Sequence, residues 1–126
     1  MKDIRSVLVV DDDDAFRYTL VKSLRRRGLE AFEAAGSEDA LRVLGEHAPD
    51  ACVLDLKLSG ESGLHLLPRL LAVRPALSVV VLTGYASITT AVEAVKGGAV
   101  NYLGKPADTD EILAALGGAV RVDEED

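Results

Sequence analysis

Ala51-Cys52-Val53-Leu54-Asp55-Leu56 is the stretch on which the fold turns. Its apolar residues run without the polar alternation of a half-solvated strand, which suits a strand covered on both faces. Pro49-Asp50 breaks the chain just before it, and the Gly- and Ser-rich run Lys57-Leu58-Ser59-Gly60-Glu61-Ser62-Gly63 follows it as a loop. Asp55 closes the run with a carboxylate. A lone charge there is unfavourable unless it reaches solvent or serves a site.

The same grammar recurs on either side. Val7 to Val10 is stopped abruptly by Asp11-Asp12-Asp13-Asp14, and Ser78 to Leu82 stops at Thr83-Gly84. Asn101 to Leu103 leads into Gly104-Lys105-Pro106, and Glu30 to Ala34 is a weaker strand candidate. Helical spacing fills the intervals. Phe16, Leu20 and Leu24 share one face of a first helix that ends in Arg25, Arg26 and Arg27 before Gly28. Ser37 reads as the cap of a second helix carrying Ala40, Leu41 and Leu44. A third is strongly apolar through Leu64, Leu66, Leu67, Leu70 and Leu71, with Pro75 beyond its end. Ile88, Ala91, Val92 and Val95 mark a fourth, stopped by Gly97-Gly98. Asp108-Thr109-Asp110-Glu111 opens the last as a capping box, continued by Ile112, Leu116 and Val120.

Repeated strand–helix units with short connections predict an α/β fold with a parallel sheet covered by helices on both faces. Right-handed crossovers at this size favour the flavodoxin-like (βα)5 arrangement: a doubly wound, five-stranded parallel sheet in the order 2-1-3-4-5. The 126 residues make one domain, with 48% hydrophobic and 28% charged residues as in an ordinary globular chain. We assign residues 1–122 to that domain and 123–126 to an acidic tail or the start of a linker. A net charge of −7 disfavours direct binding to nucleic acid or to an anionic membrane. The single cysteine, Cys52, excludes a disulfide framework and reads as a small buried hydrophobe. The chain opens on a strand without a signal segment or a membrane-length apolar run, so a cytoplasmic location is expected.

In a parallel sheet all strands present their carboxyl ends to one edge, where ligands bind at the switch point. Asp11, Asp12, Asp55, Thr83 and Lys105 therefore converge although they are scattered over the chain. Three carboxylates in close quarters repel one another unless a cation intervenes. A hard divalent ion is the natural answer, and Mg²⁺ suits a site of few carboxylates, water and a phosphate ligand. Zinc is disfavoured because no Cys or His falls at ligand spacing, and His47 and His65 read as surface helix residues. With the metal held by Asp11, Asp12 and Asp55, the aspartate at 55 is expected to accept a phosphoryl group. Lys105 would offset the charge of the transferring oxygens, Thr83 would donate a hydroxyl hydrogen bond, and Gly84 would leave room for the incoming group. No G-x-x-x-x-G-K-[ST] loop accompanies the acidic cluster, so a nucleotide-binding P-loop reading fails.

At this point the chain resembles, over essentially its whole length, a CheY-like response-regulator receiver domain. Val7 to Asp12 resembles the acidic-pair strand, and Pro49-Asp50 through Asp55 to Gly63 resembles the phosphoacceptor strand and loop. Val81-Leu82-Thr83-Gly84-Tyr85 and Gly98 to Pro106 resemble the switch-hydroxyl and aromatic–lysine segments. The resemblance implies that a histidine kinase or phosphotransfer protein donates the phosphoryl group to Asp55. It further implies Mg²⁺ on Asp11, Asp12, Asp55 and the Lys57 backbone carbonyl, with Thr83 and Tyr102 reorienting on phosphorylation.

Thr83 to Asp108 is similar to redox-responsive regulators of the RegA/PrrA type, which join a receiver to a C-terminal helix-turn-helix. No such DNA-binding output domain lies in this chain, so an isolated receiver from a longer regulator is expected, with a transcriptional output and a phosphorylation-dependent homodimer as implied partners. Two departures stand out. Leu58-Ser59-Gly60-Glu61-Ser62-Gly63 lacks the proline often found after the acceptor, which touches loop rigidity. Ala107 replaces a frequent Phe, which argues against the subgroup dimerising through a shared fourth-helix to fifth-helix face.

Two rivals differ in class. A haloacid-dehalogenase-like phosphatase would use Asp11-x-Asp13 with Thr83 and Lys105, but it lacks a late acidic pair and leaves Asp55 unexplained. A non-phosphorylated scaffold receiver would have no need of the intact acidic pair, acceptor, threonine and lysine.

Overall fold

The computed structural model describes residues 3–84, 88–117 and 119–120. Its elements in order are β1 (Asp3–Ile4), β2 (Ser6–Val10), α1 (Asp14–Arg26), β3 (Glu30–Ala34), α2 (Ser37–His47), β4 (Ala51–Asp55), β5 (Lys57–Leu58) and β6 (Glu61–Ser62). They continue with α3 (Gly63–Val73), β7 (Ser78–Thr83), α4 (Ile88–Lys96), β8 (Asn101–Gly104), α5 (Thr109–Leu116) and β9 (Ala119–Val120). The main sheet has five parallel strands in the order β3-β2-β4-β7-β8. Numbered among these five alone, the order is the expected 2-1-3-4-5 of a flavodoxin-like fold. A two-stranded parallel pairing of β1 with β9 ties the ends of the described chain together.

Every residue of β2 and β4 is buried, as their unbroken apolar runs require. Successive residues nevertheless serve opposite faces. Leu8, Val10, Cys52, Leu54, Val79 and Val81 pack with Val43, Leu44, Leu66, Leu67, Leu70 and Ala94 of α2, α3 and α4. Val7, Val9, Val53, Val80 and Leu82 pack with Leu20, Val21 and Leu24 of α1 and with Ile112 and Leu116 of α5. Each fully buried Leu or Ile contributes roughly 1.5–3 kcal/mol, so these two cores hold the sheet edge rigidly in place.

Two helix ends follow local chemistry, while α5 stops at Leu116 and Val120, expected to continue it, lies in β9. Asp108 and Glu111 form the predicted capping box on α5, and Gly28 takes up a positive φ of 86° just past α1. Ser37 does not cap α2. Gly36 holds that position without a side-chain bond, and Ser37 is the first helical residue. The Ser37 amide donates instead to Glu61 Oε2 at 3.1 Å, so a carboxylate from a distant turn takes the capping role. That turn is the stretch after Asp55, which the sequence suggests is a loop. It is an antiparallel hairpin in which Lys57 pairs with Ser62 and Leu58 with Glu61. Gly60, with φ 76°, makes the reversal. Tyr85 and the acidic tail 123–126 lie outside the described residues.

Candidate phosphoryl and cation site

At the carboxyl ends of β2 and β4, one carboxylate oxygen from each of Asp11, Asp12 and Asp55 lies within 4.8 Å of the others. Asp11 and Asp55 are buried at 1% and 5% exposure, while Asp12 is exposed. Lys105 arrives from the end of β8, its amide donating to the Thr83 carbonyl at 2.8 Å. Its ammonium donates to Asp11 Oδ1 at 3.2 Å and to Asp55 Oδ2 at 3.3 Å. The Lys105–Pro106 peptide bond is cis.

A backbone amide also donates to each of the two buried carboxylates. Asp13 N–H donates to Asp11 Oδ1 at 2.8 Å, and Lys57 N–H donates to Asp55 Oδ1 at 3.1 Å. Asp11 Oδ2 lies 2.9 Å from the Lys105 ammonium, yet no donor meets it with hydrogen-bond direction among the described residues. A buried carboxylate oxygen left so is a ready ligand. The electrostatics agree with this crowding. Burial pushes the Asp11 carboxyl up and the nearby Asp55 charge adds to it, against partial relief from the Asp13 amide and Lys105. Burial alone would pull the Lys105 ammonium down, but its bonds and attraction to Asp11 and Asp55 outweigh that and push it up.

The site opens into a cleft of about 660 Å³ lined by Asp12, Asp13, Asp55, Lys57, Thr83, Gly84, Thr90 and Lys105. Thr83 is half-buried at its rim, and Gly84 is exposed with nothing within 4 Å of where a Cβ would stand. Tyr102 sits on the edge strand β8 at 42% exposure, outside the cleft lining. His47 and His65 are exposed, and His47 stacks on Phe32 with centroids 4.4 Å apart, away from the carboxylates. Asp13 caps α1, accepting from the Phe16 amide at 3.1 Å. Asp13 lines the cleft, but its Oδ1 is engaged at the helix end.

Three contributors were not anticipated. Phe16 lies beneath the lysine, its ring centroid 4.7 Å from Nζ, and so presents a negative π face to the ammonium. Thr90 brings α4 to the cleft. Arg17 donates to the Asp11 carbonyl at 2.6 Å, one turn into α1 from the acidic run.

The three hard carboxylates, the under-bonded Asp11 oxygen and the open cleft fit an Mg²⁺ ion. A parallel doubly wound sheet with an acidic trio and a lysine at its switch point is a scaffold for a hard cation beside an anionic group. The model of the response regulator receiver domain matches residues 7–117, and the chain belongs to that family. It is a receiver domain of two-component response regulators.

Among its relatives is the photosynthetic apparatus regulatory protein RegA of Rhodobacter capsulatus, 43% identical over 112 residues, or 89% of this chain and 61% of that protein. The acid tolerance regulatory protein ActR of Rhizobium meliloti (strain 1021) is also 43% identical, over 89% of this chain and 58% of that one. The chain thus spans about three-fifths of the length of these curated relatives. A response regulator from Burkholderia pseudomallei, solved with a phosphorylated aspartic acid, calcium ion and citrate, superposes with a TM-score of 0.86. It is 46% identical and covers 89% of this chain and 66% of that one. Among the described residues no helix is long and apolar enough to cross a membrane.

Proposed function

We propose that Asp55 is the phosphoacceptor of this receiver and that a histidine kinase or phosphotransfer protein is its donor. The observation that carries the reading is Asp55 Oδ2 at 3.3 Å from Lys105 inside a trio of carboxylates. Asp11, Asp12, Asp55 and the Lys57 backbone carbonyl would hold Mg²⁺, which would supply positive charge beside the transferring oxygens and offset carboxylate repulsion. Asp55 attacks phosphorus through a carboxylate oxygen; its bond to phosphorus forms as the donor's P–N bond breaks, and the imidazole leaves as a neutral ring after taking a proton from solvent. The Lys57 amide orients the acceptor at 3.1 Å. Lys105 follows the developing charge, since an ammonium on a flexible stem can move from carboxylate to phosphoryl oxygen.

Phosphorylation brings nearly two negative charges and three acceptor oxygens. Thr83 turns its hydroxyl toward those oxygens, and Tyr102 turns inward from the edge strand, biasing α4 and its neighbours toward a second packing. Gly84 leaves the approach clear. The output, by likeness to the longer DNA-binding transcriptional regulator NtrC of Proteus hauseri, 37% identical over 117 residues, is a DNA-binding domain, and the receiver ends near residue 122. The role is regulatory, with chemistry limited to its own phosphorylation and dephosphorylation. A reducing cytoplasm suits its single buried thiol.

Incubation with Mg²⁺ and a small-molecule phosphodonor, followed by peptide mass mapping, tests the assignment. Label on Asp55, lost with EDTA and in Asp55→Asn, is expected. Label on Asp11 would point to phosphatase-type chemistry, and an unlabelled chain would point to a scaffold.

A further inference from the structure

Arg17 is only 14% exposed, although it lies on a helix that carries Tyr18 and Thr19 into solvent. Its guanidinium makes three short contacts with three different segments. Nη1 donates to the Asp11 carbonyl at 2.6 Å, Nη2 to Asp14 Oδ1 at 2.6 Å, and Nε to Glu33 Oε1 at 2.9 Å. Asp11 follows the last residue of β2, Asp14 begins α1, and Glu33 lies one residue before the end of β3, where Ala34 accepts the Asp11 amide at 3.1 Å. One planar fork thus grips both ends of the acidic turn and pins it to the neighbouring strand.

We propose that Arg17 is a positioning residue for the cation site, fixing through the Asp11 carbonyl and Asp14 the turn that presents Asp11 and Asp12. The inference rests on the reading of Asp11, Asp12 and Asp55 as an Mg²⁺ site. Four aspartates in succession, Asp11 to Asp14, repel one another, and a turn of that charge spreads unless something holds it. Of these four, Lys105 reaches only the buried Asp11 carboxylate. Asp12 is exposed, with its geometry set by the backbone on either side, so the grip on that backbone decides where its oxygen stands. A lysine could supply the charge at position 17 but not the fork, because an ammonium is a point charge without fixed donor directions.

Charge and positioning predict opposite results, which makes the idea testable. As a mere cation near the site, Arg17 would repel Mg²⁺, and its removal would tighten binding. As a positioning residue, its removal weakens binding, on the order of tenfold as for other groups that orient metal ligands. Isothermal titration of Mg²⁺ into the full chain, Arg17→Lys and Arg17→Met reads this directly, with urea unfolding in EDTA run alongside to follow stability. Weaker binding by both variants supports the inference. Arg17→Lys at the wild-type dissociation constant, or Arg17→Met binding as tightly or more tightly, overturns it. Arg17→Lys keeps the charge balance and decides the matter alone if Arg17→Met does not fold. Absence of Mg²⁺ binding by the unsubstituted chain would overturn the cation-site reading itself, and the inference with it.

Discussion

Lys105 Nζ and Asp55 Oδ2 stand 3.3 Å apart, joining the ends of two strands that are not neighbours in the sheet. The lysine side chain is 18% exposed and the aspartate 7%, so the pair is little screened by solvent. Lys105→Met would leave Asp11 and Asp55 facing each other without their common partner. We expect a loss of about 1–3 kcal/mol in urea unfolding in EDTA. Saturating Mg²⁺ should restore part of it, because a ligand that binds only the folded state adds stability. A variant equally stable with and without the ion would contradict this.

Gly63 opens α3 directly against the acceptor strand. A Cβ there would lie 2.4 Å from the Asp55 carbonyl oxygen and 2.8 Å from Leu56 Cα, both backbone atoms that cannot swing aside. Gly63→Ala should therefore cost at least about 2 kcal/mol in urea unfolding. It should also lower Mg²⁺-dependent labelling by displacing Asp55. Gly84→Ala, with open space around its missing Cβ, serves as the contrast and should fold normally.

Thr83→Val preserves shape and removes the hydroxyl. Labelling by a small phosphodonor should remain near wild type. Chemical shifts of α4, monitored by NMR on adding beryllofluoride as a phosphoryl mimic, should change much less than in the unsubstituted chain. Equal α4 responses in the two proteins would exclude Thr83 as the coupling residue.

Cys52 lies at the centre of β4 with no exposed surface, and burial pushes its thiol well above the ordinary range. A thiolate is the reactive form. Native protein should therefore resist Ellman's reagent, and modification under urea should track global unfolding. Rapid reaction of the folded chain would reveal an opening of the sheet that the packing does not suggest.

The sheet was legible because its message is one-dimensional. Unbroken apolar runs such as Val7 to Val10 and Ser78 to Leu82 announce buried strands, and the rule that parallel strands share a carboxyl edge brings Asp11, Asp55 and Lys105 together. The Asp108–Glu111 capping box was legible for the same reason, since its partners are three residues apart. What escaped depends on contacts between distant segments. Ser37 has every local mark of a cap, but Glu61 reaches its amide from 24 residues away. Asp50, read as a strand breaker, accepts the Arg5 and Ser6 amides and so stitches the entry of β2 to that of β4. The hairpin at Lys57–Ser62 was obscured because its strands are only two residues long, below the length at which periodicity speaks. Arg17 was hidden by its helical neighbours, where an arginine ordinarily signals a solvated face.

The trio of carboxylates and its single ammonium also set an order of encounter. Taken with Lys105 alone, the trio sets three negative charges against one positive, an excess of two. A phosphodonor is itself an anion, so the bare cleft turns away the molecule it is proposed to react with. A divalent ion removes that excess, and only then does the approach become electrically level. On the proposed chemistry, charge count therefore favours the cation before the donor.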